Sequence, residues 1–149
     1  MELILLIGIQ ATGKSTFYRQ HFADTHVRLN LDMLRTRTRE QIIFNACLEA
    51  KAQVVVDNTN PSRVERAVYI RPALSAGFVI KGYFFRSRIL DALERNRCRP
   101  ADSRVPDVGI RATRNRLEFP TLDEGFTSLH FVDMAEAGAF AVEEWRDEL

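Results

Sequence analysis

The 149-residue sequence has few cysteines, few lysines and no long apolar segment. Its two cysteines, Cys47 and Cys98, lack metal-site spacing, so we predict a pair of reduced thiols. No run approaches the roughly 18 apolar residues of a membrane helix. The apolar start, residues 3–9, lacks the basic flank and cleavage site of a signal peptide. These absences predict a cytoplasmic protein without a membrane partner.

Internal repeats, low-complexity runs and Gly/Ser linkers are also missing from the sequence. A chain of this length suits one domain, so residues 1–149 are predicted to form a single domain. The charge is unevenly distributed: residues 86–116 carry 9 Lys/Arg against 4 Asp/Glu, and residues 117–149 carry 1 against 9. Of the 21 basic residues 18 are arginine, which suits phosphate recognition, although a codon bias would give the same excess.

Apolar runs alternate with helical patterns along the chain, as in a parallel α/β sheet. Strands are predicted at 3–7, 27–30, 54–56, 78–85 and 128–132. Helices are predicted at 14–22, 39–51, 61–76, 87–98 (with Ser87 as the N-cap), 107–117 and from 136 to the end. Gly77 is the predicted stop of the third helix, and the second is predicted to present Ile42, Ile43, Ala46 and Ala50 on one face. The fold class is therefore α/β with three layers, a five-stranded parallel sheet flanked by helices.

The segment from Gly8 to Ser15 matches G-x-x-x-x-G-K-[ST], the phosphate-binding P-loop motif. It lies between a strand pattern and a helix pattern, so backbone N–H groups and the helix N-terminus would surround phosphate oxygens. Lys14 is expected to reach the β- and γ-phosphates of ATP, and the Ser15 hydroxyl to bind Mg²⁺. The nucleotide-contacting residues are predicted to be Gly8, Gln10, Ala11, Thr12, Gly13, Lys14, Ser15 and Thr16.

Acidic residues follow two predicted strands, at the sheet edge where parallel α/β proteins bind ligands. Asp57 ends one strand and is a candidate second magnesium ligand. Asp32 follows another and is a candidate general base, with Arg35 on the same face if a helical turn begins there. The alternatives are a surface aspartate that caps a helix, and Asn60 as the cap of the helix at 61–76.

An arginine-rich segment, roughly 95–117, is predicted to form a mobile lid over the triphosphate. Arg95 and Arg99 are the candidates for stabilising the transferred phosphoryl group, in preference to Arg97 between them. The alternative is a solvated basic helix face.

Together, residues 8–17, 30–35 (Asn-Leu-Asp-Met-Leu-Arg) and 55–61 (Val-Val-Asp-Asn-Thr-Asn-Pro) resemble the kinase module of polynucleotide 5′-hydroxyl kinases. Glu94-Arg95-Asn96-Arg97 is similar to the start of that family's lid, and 104–126 to the segment after it. A broader group of small stand-alone P-loop ATPases carries the same blocks. The resemblance implies Asp32 as general base, Arg35 on an acceptor phosphate, and Arg95 and Arg99 on the donor phosphates.

We therefore expect a kinase that uses ATP and Mg²⁺ to phosphorylate a hydroxyl, the 5′-OH end of DNA or RNA. Two alternatives remain open at this point. One is a kinase for a sugar, nucleoside or nucleotide-sugar, and the other is a nucleotide-binding switch with slow ATP hydrolysis.

Overall fold

The computed structural model describes residues 1–135 and 138–146. Its strands are β1 (Glu2–Ile7), β2 (Val27–Leu29), β3 (Val54–Asp57), β4 (Val79–Phe85), β5 (Ser128–Met134) and β6 (Phe140–Glu144). Its α-helices are α1 (Lys14–His21), α2 (Leu31–Leu34), α3 (Arg37–Ala50), α4 (Arg63–Ser75), α5 (Ile89–Arg97) and α6 (Asp107–Arg116). Within this part of the chain, no helix combines the length and apolar character needed to cross a membrane.

The strands form one sheet in the order β2-β3-β1-β4-β5-β6. The first five are parallel, as predicted, and β6 adds an antiparallel edge strand to give a mixed six-stranded sheet. Residues 3–7 of the central strand β1 are completely buried, because helices cover both faces of the sheet. The carboxyl ends of β1, β2 and β3 meet at one edge, which holds the P-loop motif and both candidate acidic residues.

The helix predicted from 136 to the end is wrong: residues 140–144 form β6, while 136–137 and 147–149 lie outside the described residues. At the ends of β5 and β6 the Ala135 N–H donates to the Ala139 carbonyl at 2.8 Å. Phe140 then packs its ring 5.3 Å from that of Phe17 on α1. Pairing with β5 and this aromatic contact outweigh the helix propensity of a segment rich in Ala and Glu.

The face predicted for α3 is also wrong. Ile42 is 63% exposed, and the helix instead buries Glu40, Phe44, Cys47 and Leu48. The buried stripe includes a carboxylate because Glu40 accepts hydrogen bonds from Tyr69 on α4 and from Asn58. Hydrophobic periodicity cannot identify a face that contains a satisfied buried acid.

The start of α4 is set by a capping box and not by Pro61. The Ser62 hydroxyl accepts the Glu65 N–H at 3.2 Å, and the Glu65 carboxylate accepts the Ser62 N–H at 3.2 Å. Pro61 and Asn60 therefore precede the helix, and Asn60 does not cap it. The helix ends as predicted, before Gly77 in the left-handed conformation (φ +85°).

Arg66 of α4 is completely buried and fastens three segments together. Its Nε and Nη2 donate to the two carboxylate oxygens of Glu124 at 2.8 and 3.1 Å. Its Nη1 donates to the carbonyls of Asn60, Pro61 and Glu118 at 3.0 to 3.1 Å. Because a guanidinium is costly to bury unpaired, these bonds fix the turn after β3 against the segment that follows α6.

Candidate active site

The P-loop, residues 8–15, is fastened to the strands on both sides of β1. The Gly8 N–H donates to the Thr59 carbonyl at 3.0 Å, and the Ile9 N–H donates to Ser87 Oγ at 3.1 Å. The sequence predicts Ser87 as an N-cap, but Arg88 occupies that position and the Ser87 hydroxyl supports the loop instead. The loop is therefore held in place by the ends of β3 and β4.

The loop turns into α1 at Gly13, which has a left-handed backbone conformation (φ +93°). A Cβ here would lie 2.5 Å from Met134 Cε and 2.8 Å from a ring carbon of Phe140. The left-handed conformation favours glycine here, and any Cβ would also displace the Met134 and Phe140 side chains. The N-terminus of α1 directs its free N–H groups into a cleft of about 550 Å³.

Most of the predicted nucleotide-contacting residues line this cleft. Those at its surface are Gln10, Ala11, Gly13, Lys14, Ser15 and Thr16. Thr12 is buried and donates its hydroxyl to the Ile9 carbonyl at 2.8 Å, so it supports the loop from behind. Gly8 lies at the base of the loop, outside the cleft lining.

Lys14 is held at the cleft floor by the loop itself. Its side chain is buried, and Nζ donates to the Ile9 carbonyl at 2.6 Å. Burial lowers the pKa of Lys14 from 10.5 to about 8, the negative charge of Asp57 opposes that shift, and Arg99 adds to it. Because burial destabilises the charged form of Lys14, a phosphate anion that binds beside it would stabilise that form strongly.

Ser15 and Asp57 come together as the motif predicts. Ser15 Oγ lies 3.0 Å from Asp57 Oδ2, and the Asp57 side chain is only 1% exposed. Hydroxyl and carboxylate oxygens are the ligands Mg²⁺ takes, usually alongside substrate phosphates and water, so this donor set fits the ion. No group of three or more His, Cys, Asp or Glu suited to a metal occurs in the described ranges 1–135 and 138–146.

Arg28 of β2 binds the same two oxygens. Its Nε and Nη2 donate to Asp57 Oδ2 at 2.9 and 2.7 Å, and Nη2 also donates to Ser15 Oγ at 3.0 Å. The guanidinium lies 5.4 Å from the ring centroid of Tyr18. A positive charge from the protein itself thus neutralises the buried carboxylate.

The structure places Asp32 in the cleft but does not bring Arg35 there. Asp32 lies in the short helix α2, whereas Arg35 is the C-cap, with φ +78°, and does not line the cleft. Arg37, two residues on, lines the cleft instead. It donates to Tyr69 Oη at 3.0 Å and forms an ion pair with Glu40 at 3.3 Å.

The Asp-Asn-Thr-Asn segment after β3 positions α2. Asn58 Oδ1 accepts the Leu31 N–H at 2.9 Å, and Asn30 Nδ2 donates to the Asp57 carbonyl at 2.7 Å. Asn60 is buried in a left-handed conformation (φ +46°) and donates to the Leu6 carbonyl at 2.8 Å. These side chains join the ends of β1, β2 and β3, so Asp32 is fixed relative to the P-loop.

The arginine-rich segment folds back onto the P-loop. Arg95 Nη1 donates to the Ala11 carbonyl at 3.3 Å, and Arg99 lines the cleft, while Arg97 is exposed outside it. The segment is held by Gln10, whose Nε2 donates to Thr113 Oγ1 at 3.0 Å.

Sequence reasoning missed Arg28, Arg37 and Glu40. Arg28 is a charged residue within a short strand of a parallel sheet. A charge at that position could have been taken as a sign of a site residue. Arg37 has no motif, because its position depends on how the chain turns at Arg35. Glu40 looks like an ordinary surface residue of a helix.

Comparison with known proteins matches residues 3–120 to the model of a family described as an AAA domain. A bifunctional polynucleotide phosphatase/kinase of Schizosaccharomyces pombe is 28% identical over 135 residues, covering 88% of this chain and 33% of that protein. A putative bifunctional polynucleotide phosphatase/kinase of Acanthamoeba polyphaga mimivirus is 25% identical over 138 residues, with the same coverage. The chain spans about a third of the length of these curated relatives.

Solved structures show the same fold at lower identity. Kti12 of Chaetomium thermophilum in complex with ADP-AlF3 superposes with a TM-score of 0.67 at 19% identity, covering 91% of this chain and 92% of that one. A gluconokinase of Sinorhizobium meliloti gives 0.63 at 18% identity, with 92% and 85% coverage. The predicted P-loop kinase fold and the family resemblance are therefore confirmed, and the chain belongs to the AAA domain family of P-loop kinase-like proteins.

Proposed function

We propose that this chain is an ATP-dependent kinase that phosphorylates a hydroxyl group, namely the 5′-OH end of a nucleic acid. The observation that carries the proposal is a single cleft lined by a P-loop lysine, a carboxylate suited to a general base and the lid-side Arg99, with Arg95 hydrogen-bonded to the loop at Ala11. The nucleic acid acceptor is supported by the names of the two curated relatives, both polynucleotide phosphatase/kinases.

In this reaction Asp32 accepts the proton of the acceptor hydroxyl as its oxygen forms a bond to the γ-phosphorus of ATP. The bond between that phosphorus and the bridging oxygen breaks, and ADP leaves with the electron pair. Lys14 and the N–H groups of the P-loop bind the β- and γ-phosphates throughout. Mg²⁺, held by Ser15 and Asp57, would neutralise charge on the same phosphates.

Arg95 and Arg99 would stabilise the charge that develops on the transferred group. Arg99 lines the same cleft as Lys14 and its positive charge lowers the pKa of that lysine, which supports a role for Arg99 at the γ-phosphate. Arg95 would exchange its hydrogen bond to the Ala11 carbonyl for phosphate oxygens when the nucleotide binds.

The test is transfer of labelled γ-phosphate from ATP to 5′-OH DNA and RNA oligonucleotides, with nucleosides and sugars assayed in parallel. Lys14→Ala and Asp32→Asn are the control variants. Labelling of oligonucleotides that both variants abolish supports the proposal. Labelling only of sugars or nucleosides would contradict the acceptor, and ATP binding without any transfer would contradict the kinase activity.

A further inference from the structure

A cavity of about 260 Å³ lies outside the nucleotide cleft, beside the carboxyl-terminal end of β4 and the middle of β5. Its floor is made of aromatic side chains and its rim of arginines. We call it the aromatic pocket, formed by Phe84, Arg86, Ser87, Arg88, Arg114, Leu117, Phe119 and Phe131.

The floor consists of the buried Phe84, the half-buried Phe131 and the exposed Phe119. The Phe84 ring centroid lies 5.3 Å from that of Phe119 and 6.2 Å from that of Phe131, the second pair stacked at 25°. Phe119 is 56% exposed. A large aromatic side chain left this open beside a cavity is a candidate surface for stacking with a planar ligand.

The rim carries more positive than negative charge. Arg88 and Arg114 are exposed, and Arg114 Nε donates to the Ser87 carbonyl at 3.1 Å. Arg86 lies 5.3 Å from the Phe131 ring centroid and 3.2 Å from the Asp133 carboxylate, at an angle unsuited to a hydrogen bond. Three guanidinium groups against one carboxylate favour an anionic ligand.

The pocket lies on the face of the sheet that α3 and α4 cover. Phe84, Phe131 and Leu117 belong to or pack against the core that α3 and α4 cover. A second cavity, of about 400 Å³, shares Arg37, Asn58 and Thr59 with the nucleotide cleft and also includes Arg116. Arg114 and Leu117, which line the aromatic pocket, flank Arg116 in the chain, so the two cavities are neighbours along this segment.

We propose that the aromatic pocket binds a base of a single-stranded nucleic acid whose 5′ end occupies the nucleotide cleft. The inference rests on the proposed function and extends it, because it requires a polymeric acceptor with more than one nucleotide. Phe119 stacks on the base, and Arg88 and Arg114 bind the adjoining phosphates. The strand passes from Asp32 through the second cavity and over Arg116.

The single tryptophan of the chain reports on this pocket directly. The Trp145 ring centroid lies 5.4 Å from that of Phe84 and 6.0 Å from that of Phe119. Titration with octathymidylate should quench Trp145 fluorescence, because the indole packs against Phe119, the ring on which the base would stack. An abasic oligomer of the same length has the phosphates without the bases and should bind at least about tenfold more weakly. Equal affinity for the two oligomers would overturn the proposal.

Variants separate stacking from charge. Phe119→Ala should weaken octathymidylate binding about tenfold and leave the abasic oligomer unchanged, and Phe119→Leu, which preserves most of the packing, should show the same selectivity. Arg88→Gln should weaken both oligomers and reduce the salt dependence of binding. Arg71→Gln, at an exposed arginine of α4 that lines none of these cavities, is the matched control. Unchanged octathymidylate affinity in both Phe119 variants would refute base stacking.

The proposed function and this inference fail differently. If the chain is not a polynucleotide kinase, no label reaches the oligonucleotide, whatever the fluorescence shows. If only the pocket assignment is wrong, 5′-OH oligonucleotides are still phosphorylated. Phe119→Ala then leaves the KM for octathymidylate, like the KM for a dinucleotide, at the wild-type value. If both are right, Phe119→Ala raises KM for octathymidylate alone.

Discussion

Replacing Lys14 by methionine should stabilise the nucleotide-free protein. The Lys14 side chain is buried, and burial lowers its pKa from 10.5 to about 8. At about 1.36 kcal/mol per pKa unit, keeping this ammonium charged at neutral pH costs the folded state about 3 kcal/mol. Methionine has a similar length and carries no charge, so it removes that cost.

The substitution also removes a hydrogen bond. Lys14 Nζ donates to the Ile9 carbonyl, and the loss of this bond costs about 1 kcal/mol, since Thr12 still donates to the same oxygen. The net gain is therefore about 2 kcal/mol, or about 4–8 °C in Tm for a chain of this size.

The pH dependence of stability provides a second test. The folded pKa of Lys14 lies below the unfolded value, so the unfolded state binds this proton more tightly. The destabilisation is thus fully present below about pH 8 and declines as the pH rises towards 10.5. The stability difference between Lys14→Met and the wild type should shrink by about 2 kcal/mol from about pH 7 to about pH 9.5.

The assay is thermal melting of both proteins at the two pH values, with and without Mg-ADP. The nucleotide should raise the Tm of the wild type by more than that of Lys14→Met, which keeps the P-loop N–H groups but loses the cation. Lys51→Met is the control: this lysine is exposed, so its replacement should give no stabilisation. A Lys14→Met protein that melts below the wild type near pH 7, or a difference that ignores pH, would refute the reasoning.

Three further substitutions test other parts of the site. Asp32→Asn should lower phosphoryl transfer at least about 100-fold with ATP affinity intact, and calorimetry with a transfer assay checks both; normal turnover would exclude Asp32 as the base. Arg28→Gln should destabilise the nucleotide-free protein by about 2 kcal/mol, because the buried Asp57 carboxylate loses its charged partner. Arg28→Gln should also increase the difference in Tm between samples with Mg-ADP and samples with ADP and a chelator, because Arg28 no longer occupies the oxygens of Asp57 and Ser15. An unchanged difference would show that Arg28 and Mg²⁺ do not compete for these oxygens. Glu124→Gln should lower stability by about 3 kcal/mol in a denaturant titration, since Arg66 would be left buried without its carboxylate; a loss below about 1 kcal/mol would contradict this.

The phosphate loop and its neighbours could be located from the sequence because their information is local. The loop is one contiguous motif after a buried strand, and Asp57 ends another strand, so both must meet at one sheet edge. The same logic put Asp32 in the cleft. Residue roles there stay predictions until the variants above are measured.

The features that sequence missed depend on the backbone path or on distant partners. Arg37 takes the place expected for Arg35 because one residue with a positive φ redirects the chain. Glu40 is buried because Tyr69 and Asn58, both distant along the chain, donate hydrogen bonds to it. The aromatic pocket brings together two segments, around Phe84 and around Phe119, and neither of them alone shows a basic aromatic strip.

The buried guanidinium of Arg66 has a consequence for where this domain can be cut. The family match ends at residue 120, but the carboxylate that neutralises Arg66 belongs to Glu124, four residues later. A fragment trimmed at the family boundary would therefore keep a fully buried cation and discard its counter-ion. Chimeras that exchange the C-terminal segment with a relative face the same requirement, so the smallest transferable unit must extend at least through Glu124.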